Sequence, residues 1–500
     1  MVFSGWFRDR RWILDGVAGL TAAFPFLLYL AQNHYIVREL PISSRLLIAF
    51  GAAFSFLLGV RADRAVGARR TMSQAGKFIF VVLFCFAVGQ VVYNHVGQRT
   101  SLPFKYFVFY GVFLFAGILA IVLLRNRCWA SGLFDAGQTG LIAAALFAIL
   151  YQFPPYGEKP ARTNRARGDA ENVYYFIFDA HPGTQQRYVM PSGPNARFRA
   201  ALTALGFASM EKTRSNYAQT RQALAAIMNL AHLPPNKIGN ADAALHYPYM
   251  AQAEEAPPLL RDLALAGYRI YTSRSAVFGC QYRHATCISP KAALEPRAIV
   301  IEILGYTPLR IWKRLFEASQ AIDAPHLVLA RQADLMKRGA PFFLFVHHLA
   351  PHPPYLYTAD CRRNADVNVV DGGWSPRHRA FFANETLCLN RDMIVMARKL
   401  IARDPTAIII LQSDHGPWFG MYELRNTPIA LWPAKAIEER TSFLNQVRLP
   451  ERCRRFERPD LGQVNTARLI VACARHRIPH YLPERSYMTS YFTDQTLELR

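Results

Sequence analysis

The sequence predicts two unlike parts on one chain: a bundle of five membrane-spanning helices, then an α/β domain whose sheet is covered on both faces. Three observations carry that reading. Apolar residues are dense over about the first 155 positions and ordinary afterwards. Five windows in that stretch are apolar enough to cross a bilayer. From Asn172 onward, short continuous apolar runs alternate with helical patterns. The chain has 500 residues, 52% of them hydrophobic and 19% charged, which excludes a disordered chain and a disulfide-stapled miniprotein.

The windows are residues 12–31, 46–60, 78–93, 106–124 and 134–151. A bilayer core of about 30 Å needs about 20 mostly apolar residues in a helix. The fourth window carries no charge; the second is short, and Arg45 and Arg61 at its ends can snorkel to the two interfaces. Pro25 lies inside the first, where a spanning helix tolerates it. Arg8, Arg10 and Arg11 precede the first window, five basic residues from Arg61 to Lys77 separate the second from the third, and Arg125 and Arg127 separate the fourth from the fifth. The alternate loops carry fewer. The positive-inside rule therefore puts the N-terminus in the cytoplasm and residues after about 155 across the membrane. A long first apolar stretch without a small-residue cleavage site favours an uncleaved anchor over a signal peptide. The expected division is a transmembrane domain at 1–154, a polar linker at 155–171 and an extracytoplasmic domain at 172–500.

Cysteine usage fits export. Cys85 and Cys128 belong to the membrane part, and six remain in the second part. An even number permits a disulfide framework, with 15 possible connectivities. Sequence neighbours suggest Cys280–Cys287, Cys361–Cys388 and Cys453–Cys473, and no CxxC pair points to structural zinc.

In the second part, residues 173–178, 342–346 and 407–411 read as buried strands, with 428–432 as a fourth candidate. Residues 220–229 and 387–401 read as helices. Ligands in such α/β sheets bind beyond the carboxyl ends of the strands. The first strand ends in Asp179, the second in His347 and His348 followed by His352, and the third runs into Ser413-Asp414-His415-Gly416. If the strands are parallel neighbours, two carboxylates and an imidazole converge on one edge. Oxygen and nitrogen donors of this kind suit one divalent ion, zinc or manganese, with a position left for substrate.

The run from Asn172 to Asp179, the block Ser413-Asp-His-Gly416 and the segment Phe345-Val-His-His-Leu-Ala-Pro-His-Pro-Pro-Tyr355 together resemble the sulfatase-like branch of the alkaline phosphatase superfamily. The resemblance covers most of residues 172–435. With five membrane windows ahead of it, the chain resembles lipoteichoic acid synthase and the phosphoethanolamine transferases of lipid A. It implies an alkaline-phosphatase-like α/β domain and a nucleophile bound to the metal. In those membrane transferases that nucleophile is a threonine at a helix start, about forty residues after the first acidic ligand. Thr220 stands 41 residues after Asp179 and opens a helical pattern. A helix N-terminus offers N–H groups and a positive dipole end to a phosphate, although an ordinary N-cap threonine would look the same. Thr184 is a competing nucleophile, too near Asp179 for that spacing.

The implied roles are Asp179, Thr220, Asp414 and His415 as metal ligands, Thr220 as attacker, and His347 and His352 as groups that stabilise oxyanions or move protons. His348 reads as a strand-end histidine, His181 has no role that its spacing assigns, and Arg425 is a candidate anion contact. Two departures matter. Aspartate stands at 179 where those transferases usually have glutamate, and the Cys/Ser-x-Pro-x-Arg signature of true sulfatases is absent.

The formal charge of +23 suggests nucleic acid, but an extracytoplasmic domain excludes that partner. Anionic head groups or acidic envelope glycans are the natural counterpart. The expected function is transfer of a phosphorylated head group, phosphoethanolamine- or phosphoglycerol-like, from a membrane phospholipid donor to an anionic envelope glycan or lipid acceptor, at the inner membrane of a bacterium with the catalytic domain in the periplasm. A membrane-anchored metal-dependent phosphodiesterase is the second reading, and a non-catalytic envelope assembly protein the third.

Overall fold

The computed structural model describes residues 170–184, 194–234, 257–273, 285–288, 335–336, 341–364, 374–424, 427–489 and 495–499. The five membrane windows, the linker to residue 169, Cys280 and Arg425 lie outside the described residues. Among the described residues no helix is long and apolar enough to cross a membrane. The chain divides into two compact units, Met1–Gly157 with Lys291–Gln320, and Glu158–Pro290 with Ala321–Arg500; every described residue belongs to the second.

Nine strands and eight α-helices frame this unit among the described residues. The strands are β1 (Val173–Phe178), β2 (Ala208–Ser209), β3 (Arg269–Thr272), β4 (Ala285–Cys287), β5 (Phe342–His348), β6 (Ile408–Gln412), β7 (Asn445–Arg448), β8 (Ser486–Thr489) and β9 (Thr496–Leu499). The helices are α1 (Pro194–Ala204), α2 (Thr220–Asn229), α3 (Pro258–Leu265), α4 (Arg379–Arg403), α5 (Phe419–Glu423), α6 (Ala434–Thr441), α7 (Glu451–Arg454) and α8 (Gln463–Ala474).

Seven strands form one sheet in the order β2-β7-β6-β1-β5-β3-β4. The run from β6 through β1, β5 and β3 to β4 is parallel, and β7 pairs antiparallel with β6. All six residues of β1 are buried, because both faces of the sheet are covered. Val173, Tyr175 and Ile177 pack with Phe343, Phe345, Ile408 and Ile410 under α2, α3 and α8. Tyr174, Phe176 and Phe178 face the other way, with Leu344, Val346 and Leu411, against α1 and α4. Each such side chain contributes about 1.5–3 kcal/mol when fully buried, so aromatic and branched residues fill the central strands.

Register positions the chemistry. Ile177 pairs with His347 on one side and with Gln412 on the other, so three carboxyl ends finish level. The segment 428–432 is not a strand. Ile429–Leu431 forms a 3-10 turn, and Leu431 is 70% exposed. Pro428 and Pro433 bracket it, and proline lacks the N–H a ladder needs. The place beside β6 goes instead to the polar β7. The predicted helix at 387–401 is the inner part of the longer α4, whereas α2 has the bounds its pattern suggests.

Two disulfides fasten the periphery. Cys361–Cys388 ties the segment after β5 to α4, and Cys453–Cys473 ties α7 to α8, the pairings sequence proximity suggested.

Candidate active site

The site begins at the turn leaving β1. The N–H of Asp179 donates to His348 O at 2.8 Å and carries the β1–β5 ladder one residue further. Ala180 then adopts φ +62°, a left-handed conformation that costs an alanine about 1 kcal/mol or more. Its N–H donates to Asp414 Oδ1 at 3.0 Å, so the strain joins the ends of β1 and β6. The His415 N–H donates to the same Oδ1, also at 3.0 Å. Asp414 Oδ1 is thus occupied by two donors. Gln463 fixes the turn from behind, its Nε2 donating to Asp414 O at 2.7 Å.

The His415 ring is oriented by its neighbour's carbonyl. Nδ1 lies 2.9 Å from Gly416 O, which accepts and so keeps the proton on Nδ1. Nε2 is left with a lone pair. It lies 3.1 Å from Asp414 Oδ2, 3.8 Å from Asp179 Oδ1 and 2.9 Å from Thr220 Oγ1. Thr220 is the first residue of α2, whose N-terminus has no side-chain cap.

This donor set fits a divalent cation. Asp179, Asp414 and His415 each present a ligand atom within 4.8 Å of one another, and all three are buried. Asp179 Oδ1 and Asp414 Oδ2 are buried without a hydrogen-bond partner. A lone pair on His415 faces a carboxylate oxygen, and Thr220 brings one hydroxyl proton, fewer than the lone pairs around it. Buried acceptors held together in this way are costly unless a positive charge lies among them. Burial pushes the Asp179 carboxyl up to about 7, with the Arg440 charge and the Thr220 hydroxyl pulling the other way. Burial and then the Asp179 charge push Asp414 up to about 8. Burial, then Arg440, holds His415 well below its usual value, as a neutral ligand.

Histidines border the group. His347 Nε2 lies 3.7 Å from Asp179 Oδ2, and burial, reinforced by His348 and His352, pushes its imidazolium down to about 3. His352 is half-buried, edge-on to Trp374 at 5.2 Å, with Nδ1 at 2.8 Å from Pro353 O. Burial lowers its pKa as well, while the Asp414 charge raises it and the Arg440 charge lowers it. His348 alternates to the other face of β5 and packs edge-on to Phe178 at 5.9 Å.

Two candidates are committed elsewhere. Thr184 donates both its N–H, at 2.7 Å, and its hydroxyl, at 2.5 Å, to Glu211 Oε2. His181 uses Nδ1 toward Pro182 O and Nε2 toward Asn390 Oδ1. One functional candidate escaped the sequence. Arg440, near the C-terminus of α6, is 2% exposed and places Nη2 at 3.1 Å from His415 Nε2. Its neighbours Glu438 and Glu439 make the segment read as a solvated charged helix.

No family model matches the chain, and no curated protein matches it by sequence. Solved structures do. The chain is similar to the integral membrane lipooligosaccharide phosphoethanolamine transferase A (EptA) of Neisseria meningitidis, at 12% identity and a TM-score of 0.42, over 92% of this chain and 95% of that one. It is similar to the C-terminal periplasmic domain of EptC from Escherichia coli, at 12% identity and a TM-score of 0.41, over 68% and 94%. The lipoteichoic acid synthase LtaP of Listeria monocytogenes matches at 11% identity and a TM-score of 0.36, over 65% and 79%.

Proposed function

We propose that the chain is a metal-dependent transferase. It takes a phosphorylated head group from a membrane phospholipid, holds it covalently on Thr220 and passes it to a hydroxyl of an anionic envelope glycan or lipid. The observation that carries this reading is the placement of the Thr220 hydroxyl, at an uncapped helix N-terminus and 2.9 Å from the lone-pair nitrogen of His415, beside two buried carboxylates. The bare ligand set Asp179, Asp414 and His415 would also suit a structural ion, but a structural ion does not need a hydroxyl as its fourth neighbour.

A divalent cation, zinc or manganese, held by Asp179, Asp414, His415 and Thr220 would stabilise the threonine alkoxide and polarise a phosphoryl oxygen. The protein's own groups do the rest. The first-turn N–H groups of α2 face an incoming phosphate with the positive end of the helix dipole. As the bond from Thr220 Oγ1 to phosphorus forms, the bond from phosphorus to the diacylglycerol oxygen breaks. The threonine proton ends on that departing oxygen. His347 and His352 border the group, and either could carry that proton only if the negative charge of bound substrate raised a pKa that burial holds down. In the second half the acceptor hydroxyl attacks phosphorus, Thr220 leaves, and the acceptor's proton restores the threonine hydroxyl.

Sequence and compartment support the setting. The five apolar windows would hold the site beside a lipid donor, with the N-terminus cytoplasmic and the catalytic domain periplasmic. Two disulfides in the described unit suit an oxidising compartment. Phosphoethanolamine and phosphoglycerol are the head groups the motif resemblance implies.

The test uses the purified full chain, loaded with zinc or manganese, and vesicles containing phosphatidylethanolamine or phosphatidylglycerol. The expected result is metal-dependent release of diacylglycerol from one of the two, lost in Thr220→Ala. Head group appearing free in solution without an acceptor would make the enzyme a phosphodiesterase. Metal bound with no diacylglycerol from either vesicle would overturn the proposal.

A further inference from the structure

Thr220 meets the carboxylates only if two distant segments stay in place: residues 215–220, which end in the threonine, and the turn 413–416, which carries Asp414 and His415. One buried side chain bonds to both. Gln463, the first residue of α8, is 0% exposed. Its Nε2 donates to Asp414 O at 2.7 Å and to Ser413 O at 3.3 Å. Its Oε1 accepts from the Asn216 N–H at 2.6 Å. Two carbonyls on one side and an N–H on the other admit a single orientation of the amide.

The grip is reciprocal. Asn216 Oδ1 accepts from the Val464 N–H at 2.9 Å, so Asn216 caps α8 while the first residue of α8 holds the N–H of Asn216. This is the logic of a capping box, built from chain segments far apart in sequence. Gly462 lets the helix end come so near, since a Cβ there would lie 2.7 Å from Asn216 Nδ2. Across the same two segments, Arg440 donates to Ala218 O at 2.6 Å and to Gly416 O at 2.9 Å. That turn also has no room for a side chain, because a Cβ on Gly416 would lie 2.1 Å from Glu439 O.

A buried amide can serve the scaffold alone, and Asn465 shows what that looks like on the same helix. It donates to Leu482 O at 2.8 Å and to Glu484 Oε1 at 2.7 Å, and accepts from the Leu482 N–H at 2.8 Å. None of those partners belongs to the site. Gln463 instead joins the backbone of a ligand residue to the strand-like segment four residues before the nucleophile.

We propose that Gln463 is a positioning residue, whose amide sets the separation between Thr220 and the ligands Asp414 and His415. This rests on the proposed function above, in which Thr220 is both ligand and attacker. Misplacing a reacting group by about 1 Å costs about 10²-fold in rate, so the 2.9 Å between Thr220 Oγ1 and His415 Nε2 leaves little room for slip.

The test uses the full chain with two readouts. One is the visible absorption of bound cobalt(II), which changes with the set of coordinating atoms. The other is diacylglycerol release by the zinc-loaded protein from vesicles of phosphatidylethanolamine or phosphatidylglycerol. Gln463→Met removes both halves of the bridge at nearly equal length. Gln463→Glu, kept protonated by burial, retains an acceptor for Asn216 and a donor for Asp414. Asn465→Ala is the control for damage to α8, and thermal melts report folding. Thr220→Ala should shift the wild-type cobalt spectrum by removing one oxygen. Gln463→Met, with Thr220 intact, should shift it the same way and lower kcat about tenfold or more, with KM within about threefold. Gln463→Glu should lie between, and it carries the comparison if the methionine variant does not fold. Asn465→Ala should melt lower yet keep the wild-type spectrum and kcat. A Gln463→Met protein that melts lower but keeps the wild-type spectrum and kcat would overturn the proposal, as would an equal shift in Asn465→Ala. Identical cobalt spectra for wild type and Thr220→Ala would instead take Thr220 off the metal, removing the proposed function together with the inference that rests on it.

Discussion

Loading the site with a divalent cation should expel protons, and the number follows from the two carboxyls. Without the cation, burial pushes Asp179 up to about 7 and Asp414 up to about 8. At pH 6 both carboxyls are then mostly protonated, and at pH 8.5 mostly ionised. His415 is already neutral at both. Binding should release over one proton more at pH 6 than at pH 8.5. Any proton lost by Thr220 adds equally at the two and leaves the difference intact. Apparent affinity should rise by more than one decade per pH unit below pH 7. Calorimetric titration of the cation into the protein, in non-coordinating buffers of different ionisation enthalpy, reads the count directly. Asp414→Asn should bring the difference to about one or below. The same reasoning fixes the sign of stability without metal. Both folded pKa values lie above the ordinary 3.8, so the folded chain binds more protons than the unfolded one between about pH 4 and pH 8. These two carboxyls therefore contribute a loss of stability as pH rises through that window, opposed below about pH 6.5 by buried histidines such as His347 and His415 that stay neutral in the folded chain, so the net loss in metal-free protein should show between about pH 7 and pH 8, and metal should abolish it. Equal proton release at pH 6 and pH 8.5 would refute the reasoning.

Other expectations separate site from scaffold. Thr184→Val removes a donor from buried Glu211, and should lower unfolding free energy by about 1–3 kcal/mol in denaturant melts while leaving turnover intact. His348→Ala, on the face packed against Phe178, should keep metal content and change turnover by less than about threefold. Replacing Cys453 and Cys473 together by serine opens a crosslink of sequence separation 20, which should cost about 3 kcal/mol in the same melts and leave metal binding unaltered.

The central sheet was legible because its strands are unbroken apolar runs, and no exposed face interrupts β1, β5 or β6 with polar residues. The polar residues just past those runs were legible for the same reason: each sits where a fully buried strand gives out. Short, polar strands were not. Asn445–Arg448 carries one apolar residue in four, and its burial comes from side-chain amides, such as Asn445 accepting from Gln412 at 2.9 Å. The run at 428–432 misled because its apolar residues outweighed the two prolines that stop it. Thr220 could be found by its spacing and helix start, but its approach to His415 depends on a contact 195 residues away. Arg440 could not be found at all. Only the absence of a Cβ at Gly416 tells that the charged helix 434–441 ends inside the site.

Peptide mass spectrometry of the protein purified from its own membranes tests the covalent step most directly, with Thr220→Ala as control. A phosphorylated head-group adduct on the peptide bearing Thr220, absent from the control, is the predicted result, and its mass would identify the group transferred. An adduct on Thr184 or another residue, or diacylglycerol release that persists in Thr220→Ala, would contradict it.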